Sequence, residues 1–232
     1  ADPSKQFVPQ AWKDFSYDEM KKAVSAHTID VLSALKEADV TPEWVQIGNE
    51  TSDGMLWDMG KASLNPDLYV GLHNAGYDAA KSVFPNTKVM VHIDNGYDSS
   101  RNWLVATLKE NGGKFDMIGV SHYPVYAVSE GKFKTWKSCN DKLIANIRTL
   151  INTFDADVMV VEFGYAVSEA GDGKKCLQDL MTRCSGIMQC EGVMYWEPQC
   201  YDWEHYANGA FSSSGKPTSI LDPFKSIYRK TE

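Results

Sequence analysis

Several absences narrow the field before any motif is considered. No apolar run approaches the roughly 20 residues that a membrane-spanning helix needs, and no basic, apolar leader of the secretory type opens the chain. No dense Lys/Arg run exists either: 23 basic residues stand against 31 acidic ones, for a formal charge of −8. Neither nucleic acid nor an anionic membrane surface is therefore an expected partner. The five cysteines (Cys139, Cys176, Cys184, Cys190 and Cys200) include no C-x-x-C pair, which argues against a zinc finger or ribbon. The last four fall in one C-terminal stretch, compatible with two disulfides in an oxidising compartment or with buried free thiols. No G-x-G-x-x-G or P-loop is present, nor the H-E-x-x-H or G-x-S-x-G of common hydrolases. The five histidines show no spacing that suggests a metal centre.

What is present is ordinary globular composition, 43 % hydrophobic and 23 % charged in 232 residues, a length that suits one large domain. Five short apolar runs read as buried parallel strands: 44–49, 88–94, 116–121, 157–162 and 192–196. Several are continuous rather than alternating, as in Val158-Met-Val-Val161, the pattern of strands covered on both faces. Helical periodicity fills the gaps. Ser16 and Glu19 form a capping box ahead of Met20, Val24, His27 and Val31. Pro66 follows Asn65 at a helix start, with Leu68, Leu72, Ala75 and Ala79 on one face. A last helix is expected near Pro217, burying Leu221, Phe224 and Tyr228.

Alternating strands and helices indicate a parallel α/β domain. Polar and aromatic residues gather where the strands end: Asn49 and Glu50, His92 and Asp94, His122 and Tyr123, Glu162, Trp196 and Glu197. That rim is where a (β/α)8 TIM barrel keeps its chemistry. A complete barrel has eight strands, so five imply that the first three lie upstream of this sequence. An incomplete barrel would leave strand edges and apolar surface open, to be covered by a partner chain or by an N-terminal segment.

Two strands end in glutamate, at Gln46-Ile-Gly-Asn-Glu50 and at Val160-Val-Glu162-Phe-Gly164. Glycosidic bond cleavage needs a proton donor for the leaving oxygen and a nucleophile or base at the anomeric carbon, which two carboxyls supply when one is neutral and the other ionised. Singly, each is an ordinary surface glutamate at a strand end; together, on different strands of one cleft, they form a candidate pair. Asn49 is placed to position a sugar hydroxyl. Trp57, Tyr123 and Trp196 offer flat apolar faces for a pyranose ring, with Trp203 and Tyr126 nearby. Trp103 reads as helix packing and Trp44 as structural. His92 and His122 are candidate hydrogen-bond donors in the cleft, with Asp94 beside them, whereas His27 and His73 read as structural and His205 as a loop residue.

These residues also carry a resemblance. Ala1-Asp-Pro-Ser-Lys-Gln6, Trp44-Val-Gln-Ile-Gly-Asn-Glu50, Gly54-Met-Leu-Trp57, His92-Ile-Asp-Asn-Gly96, Gly119-Val-Ser-His-Tyr-Pro124, Val160-Val-Glu-Phe-Gly-Tyr165 and Gly192-Val-Met-Tyr-Trp-Glu-Pro198 occur in the order found in glycoside hydrolase family 53. The resemblance runs over nearly the whole chain. It implies a clan A barrel, strands four to eight present here, and retaining endo-β-1,4-galactanase activity on the galactan side chains of pectin. It assigns Glu50 as acid/base and Glu162 as nucleophile, with Asn49, Trp57, His92, Asp94, His122, Tyr123 and Trp196 toward the substrate. It further implies one catalytic domain over residues 1–232, no required cofactor, and a secreted, periplasmic or cell-surface location. Where the family has a small hydroxyl residue after the nucleophile, this chain has Phe163, an expected change in the sugar subsite. Some members bind calcium after strand seven, but Glu169 and Asp172 alone fall short of its 6–8 oxygens. The competing readings are a non-catalytic carbohydrate-binding fragment and another clan A endo-glycanase, a mannanase or cellulase.

Overall fold

A computed structural model describes residues 3–200 and 206–226. Trp203, His205 and Tyr228 lie outside the described residues. The chain forms two compact units, Ala1–Asp94 with Ser100–Gly119, and Asn95–Ser99 with Val120–Glu232. The boundary falls inside one strand, which contributes to both.

The first unit opens with a short 3-10 turn, Gln10–Trp12, then helix α1 (Tyr17–Glu37), strand β1 (Trp44–Gln46), helix α2 (Pro66–Val83), strand β2 (Lys88–Ile93) and helix α3 (Asn102–Glu110). The Ser16 capping box is formed as the sequence indicates: Ser16 Oγ accepts the Glu19 N–H at 3.4 Å and Glu19 Oε2 accepts the Ser16 N–H at 2.8 Å. Two N–H groups that the first helical turn leaves orphaned are thereby satisfied. β1 and β2 pair in parallel, Gln46 opposite Met90. Asp116 locks the neighbouring helix to this ladder, accepting the Val89 N–H at 2.8 Å, the Lys81 ammonium at 2.6 Å and the Tyr77 hydroxyl at 3.0 Å. Burial works against its charge, but the bonds from Lys81, Val89 and Tyr77 prevail and hold its carboxyl below the usual carboxylate range.

Strand β3 (Met117–His122) crosses into the second unit, followed by helices α4 (Pro124–Ser129) and α5 (Trp136–Phe154), strand β4 (Asp157–Phe163), helix α6 (Ala170–Ser185) and strand β5 (Cys190–Tyr195). β4 and β5 are parallel, and the strands follow one another in the sheet order β1-β2-β3-β4-β5. These are five consecutive strand–helix repeats of a (β/α) barrel, as the sequence pattern indicates. Cys139, Leu143, Ile147 and Leu150 on α5 are fully buried, as are Val158, Val160 and Phe163 on β4, so the strand is covered where a parallel sheet requires it. All five cysteines are free thiols, four of them buried, which matches the second of the two readings above.

Four local expectations need correction. β1 stops at Gln46 rather than Asn49, because Gly48 (φ 76°) and Glu50 (φ 47°) take left-handed backbone. The last element is a 3-10 helix, Ser219–Lys225, with Pro223 inside it. Three residues per turn bury Ile220 and Pro223 and leave Phe224 exposed, where an α-helical period would have buried Phe224. On α1, Met20 and Val24 are buried as expected, but Val31 is 48 % exposed; among the described residues nothing covers that end of the apolar stripe. Trp103, expected to pack, is likewise partly exposed at the start of α3.

Candidate active site

In the first unit, the turn after β1 places Glu50. The Ile47 N–H still bonds Met90 O at 3.1 Å, and then Gly48 bends the chain. A Cβ at that position would meet Thr51 Cγ2 at 2.5 Å in a left-handed conformation, so the turn requires glycine. Glu50 is half-buried, and its N–H donates to His92 Nδ1 at 3.2 Å. The next residue returns to the same histidine: the Thr51 N–H donates to His92 O at 2.8 Å. Asn49 is held at both ends, its carbonyl accepting Gln6 Nε2 and its side-chain Oδ1 accepting Gln46 Nε2, each at 2.9 Å.

Asp94 lies at the end of β2 and is almost fully buried. Its carboxylate accepts the Ser52 hydroxyl and sits 3.3 Å from Arg101 Nε, while its own N–H donates to Ser52 Oγ at 2.9 Å. Those contacts tie the loop after Glu50 to the end of β2. Trp57 is half-buried, its indole N–H donating to Asp53 O at 2.8 Å, with the Lys61 ammonium 4.8 Å above the ring.

In the second unit, β4 delivers Glu162, which is 9 % exposed. Tyr123, directly after β3, donates its hydroxyl to Glu162 Oε2 at 2.7 Å. Burial raises the Glu162 carboxyl above its ordinary range, and the Tyr123 bond works in the opposite direction. Gly164 makes this arrangement possible: a Cβ there would meet the Tyr206 hydroxyl at 2.6 Å and Tyr123 Cε1 at 2.7 Å. Trp196, after β5, is anchored by its N–H on Phe163 O at 2.9 Å and meets Tyr206 edge-on at 4.8 Å. His122 is fully buried and bonds Asn140 Oδ1 at 2.8 Å through Nε2; burial pushes its pKa down to about 4. Asn140 in turn donates to Cys176 O and Asp179 Oδ2, so His122 is tied to α5 and α6. Phe163 has no exposed surface and packs edge-on to Tyr195 at 5.5 Å. It belongs to the core rather than to the wall of a sugar subsite, which corrects the expectation drawn from it. Asp172 pairs with Lys175 at 2.9 Å, which spends one of the two acidic groups considered for calcium.

Each unit thus presents one of the two glutamates beside a residue of the neighbouring strand or the position just after it: His92 accepts the backbone N–H of Glu50, and Tyr123 donates to the Glu162 carboxylate. Sequence reading missed Ser52, Arg101 and Tyr206, none of which stands in a motif, and it gave no role to Gln46, which stands in the motif that ends in Glu50.

Comparison with known proteins bears on the same residues. The family model for glycosyl hydrolase family 53 matches residues 1–189. An uncharacterized protein in the bgaB 5′ region of Niallia circulans is 37 % identical over 173 residues, covering 71 % of this chain and 44 % of that protein. Arabinogalactan endo-beta-1,4-galactanase A of Aspergillus niger is 29 % identical over 245 aligned positions, covering 96 % of this chain and 66 % of the relative. The chain therefore spans between about half and two thirds of the length of these relatives. The solved GH53 catalytic domain of Ignisphaera aggregans superposes with a TM-score of 0.84 at 27 % identity, covering 98 % of this chain and 71 % of that one.

Proposed function

This chain belongs to glycosyl hydrolase family 53, and from that premise we propose that it is the catalytic part of an endo-β-1,4-galactanase acting with retention. The observation that carries the reading is the pair of glutamates, Glu50 in the turn after β1 and Glu162 near the end of β4, each bonded to a residue of the neighbouring strand or just after it, within a family match that covers most of the chain. Glu162 attacks the anomeric carbon while Glu50 gives a proton to the leaving oxygen. The galactosyl ester on Glu162 is then opened by water, whose proton Glu50 takes. Asn49, Trp57 and Trp196 hold the sugar, and the reaction calls for no cofactor. Residues 1–232 belong to one catalytic domain, incomplete at its N-terminal side, working on extracellular galactan of pectin and arabinogalactan type.

The free side of β1 also needs a cover. A cavity of about 380 Å³ there is lined by residues including Val24, Val31, Val45, Ile47 and Met55. We assign it to an upstream segment of the protein that continues the barrel; a partner chain in that place would show as an obligate oligomer.

The test is the release of reducing ends from β-1,4-galactan, β-1,4-mannan and cellulose by the full-length protein, with the first-formed anomer read by proton NMR. Galactan cleavage giving the β-anomer supports the reading. Preference for mannan or cellulose moves the substrate, and binding without turnover makes the protein a carbohydrate-binding module.

A pH prediction follows from Tyr123. Its bond to Glu162 lowers a carboxyl that burial raises, and the nucleophile must be ionised to attack. Tyr123→Phe removes the lowering contribution, so the Glu162 pKa climbs and the acid limb of the kcat/KM profile moves to higher pH. An acid limb that stays in place or moves down would disconnect Glu162 from that limb.

A further inference from the structure

We propose that His92 is the positioning residue that aims the Glu50 carboxyl, an inference that rests on Glu50 being the acid/base. Glu50 occupies left-handed backbone at φ 47°, which a residue with a Cβ adopts when its surroundings hold it there. His92 meets it on both sides, and Gln6 Nε2 adds a bond to the Asn49 carbonyl of the preceding peptide plane at 2.9 Å. His92 Nδ1 accepts the Glu50 N–H at 3.2 Å, and the His92 carbonyl accepts the Thr51 N–H at 2.8 Å and the Thr51 hydroxyl at 3.2 Å. These two amides belong to the peptide planes on either side of the Glu50 Cα. With both planes tied to one partner, φ and ψ of Glu50 are fixed, and so is the direction of its Cα–Cβ bond.

His92 is itself immobilised. It is fully buried on β2, whose ladder with β1 runs two residues before it, at Gln46 opposite Met90. An Nδ1 that accepts a hydrogen bond belongs to a neutral ring carrying its proton on Nε2. Burial pushes the His92 pKa down to about 3, so the ring remains an acceptor throughout the range where the carboxyls do their work. A general acid must reach the leaving oxygen to within hydrogen-bond distance. A backbone released from His92 would misdirect the proton donor while leaving the nucleophile on β4 intact.

This makes a signature that loss of packing does not share. Leu and Asn branch alike at Cγ, but only Asn places an oxygen near the position of Nδ1; Gln carries its oxygen one bond further out. In the full-length protein, His92→Leu and His92→Gln are expected to lose about 10²-fold in kcat/KM on galactan and on aryl β-galactobiosides with poor leaving groups. On a dinitrophenyl galactobioside, which needs no proton, both should stay within about threefold of the parent in the glycosylation step. His92→Asn should recover most of the lost activity. Thermal melts identify any variant that fails to fold; if Leu does, the comparison of Gln with Asn stands. A loss equal across all leaving groups, or wild-type activity of His92→Gln on galactan, overturns the proposal. Glu50→Ala is run alongside. If that variant shows no dependence on leaving group, the acid/base reading of Glu50 fails first, and the proposal falls with it for a separately visible reason.

Discussion

Glu162→Ala in the full-length protein is expected to lower kcat on galactan by roughly 10⁴- to 10⁶-fold, the scale seen when a covalent nucleophile is removed. Binding should persist, because Asn49, Trp57 and Trp196 are untouched, so the loss should fall on turnover and leave galacto-oligosaccharide affinity within a few-fold by calorimetry. The size of the effect follows from the proposed division of labour, in which no glycosyl ester forms without Glu162, whatever the leaving group; the Tyr123 hydroxyl that donates to it at 2.7 Å also loses its acceptor. A variant that keeps more than about a hundredth of the parent rate on galactan would place the nucleophile elsewhere.

The second large effect concerns stability. Phe163→Ala removes a ring with no exposed surface, packed edge-on to Tyr195 at 5.5 Å and 6.3 Å from His122. Large-to-small replacements of this kind cost about 3–5 kcal/mol. The Tyr195 hydroxyl donates to Asn208 O at 2.9 Å, with Gly209 O also within reach at 3.1 Å, so the cavity would also loosen the segment after β5. Urea denaturation should show the midpoint falling with an unchanged slope. A loss below about 1 kcal/mol would mean that the site collapses around the missing ring.

The barrel repeat was legible in the sequence because local rules decide it. The continuous apolar run before Glu162, the Ser16–Glu19 capping box and Pro66 after Asn65 each mark an element whose identity depends on residues within a few positions. The two glutamates were singled out for the same reason, standing after or at the end of such runs. What surrounds them was not. Ser52 meets Asp94 across 42 positions, and His122 meets Asn140 across 18; no periodicity links such pairs. Asp94 and His122 therefore read as groups facing a sugar, and their contacts to Ser52, Arg101 and Asn140 emerge only from the fold. The end of β1 was misread for a related reason. Ile47 is apolar and continues the strand's pattern, but the backbone turns left-handed at Gly48 and Glu50, and the Glu50 N–H bonds His92, which lies 42 positions away.

The division of roles between the two glutamates is tested most directly by azide, a nucleophile that needs no base. In Glu50→Ala, an aryl galactoside with a good leaving group still transfers its sugar to Glu162, and the ester accumulates because water lacks its general base. Azide should then accelerate turnover of Glu50→Ala and yield the β-galactosyl azide, by a second inversion at the anomeric carbon. With Glu162→Ala, azide takes the nucleophile's place and the product, where any forms, should be the α-azide. The account predicts this pairing of variant and anomer; the α-azide from Glu50→Ala with the β-azide from Glu162→Ala would contradict it.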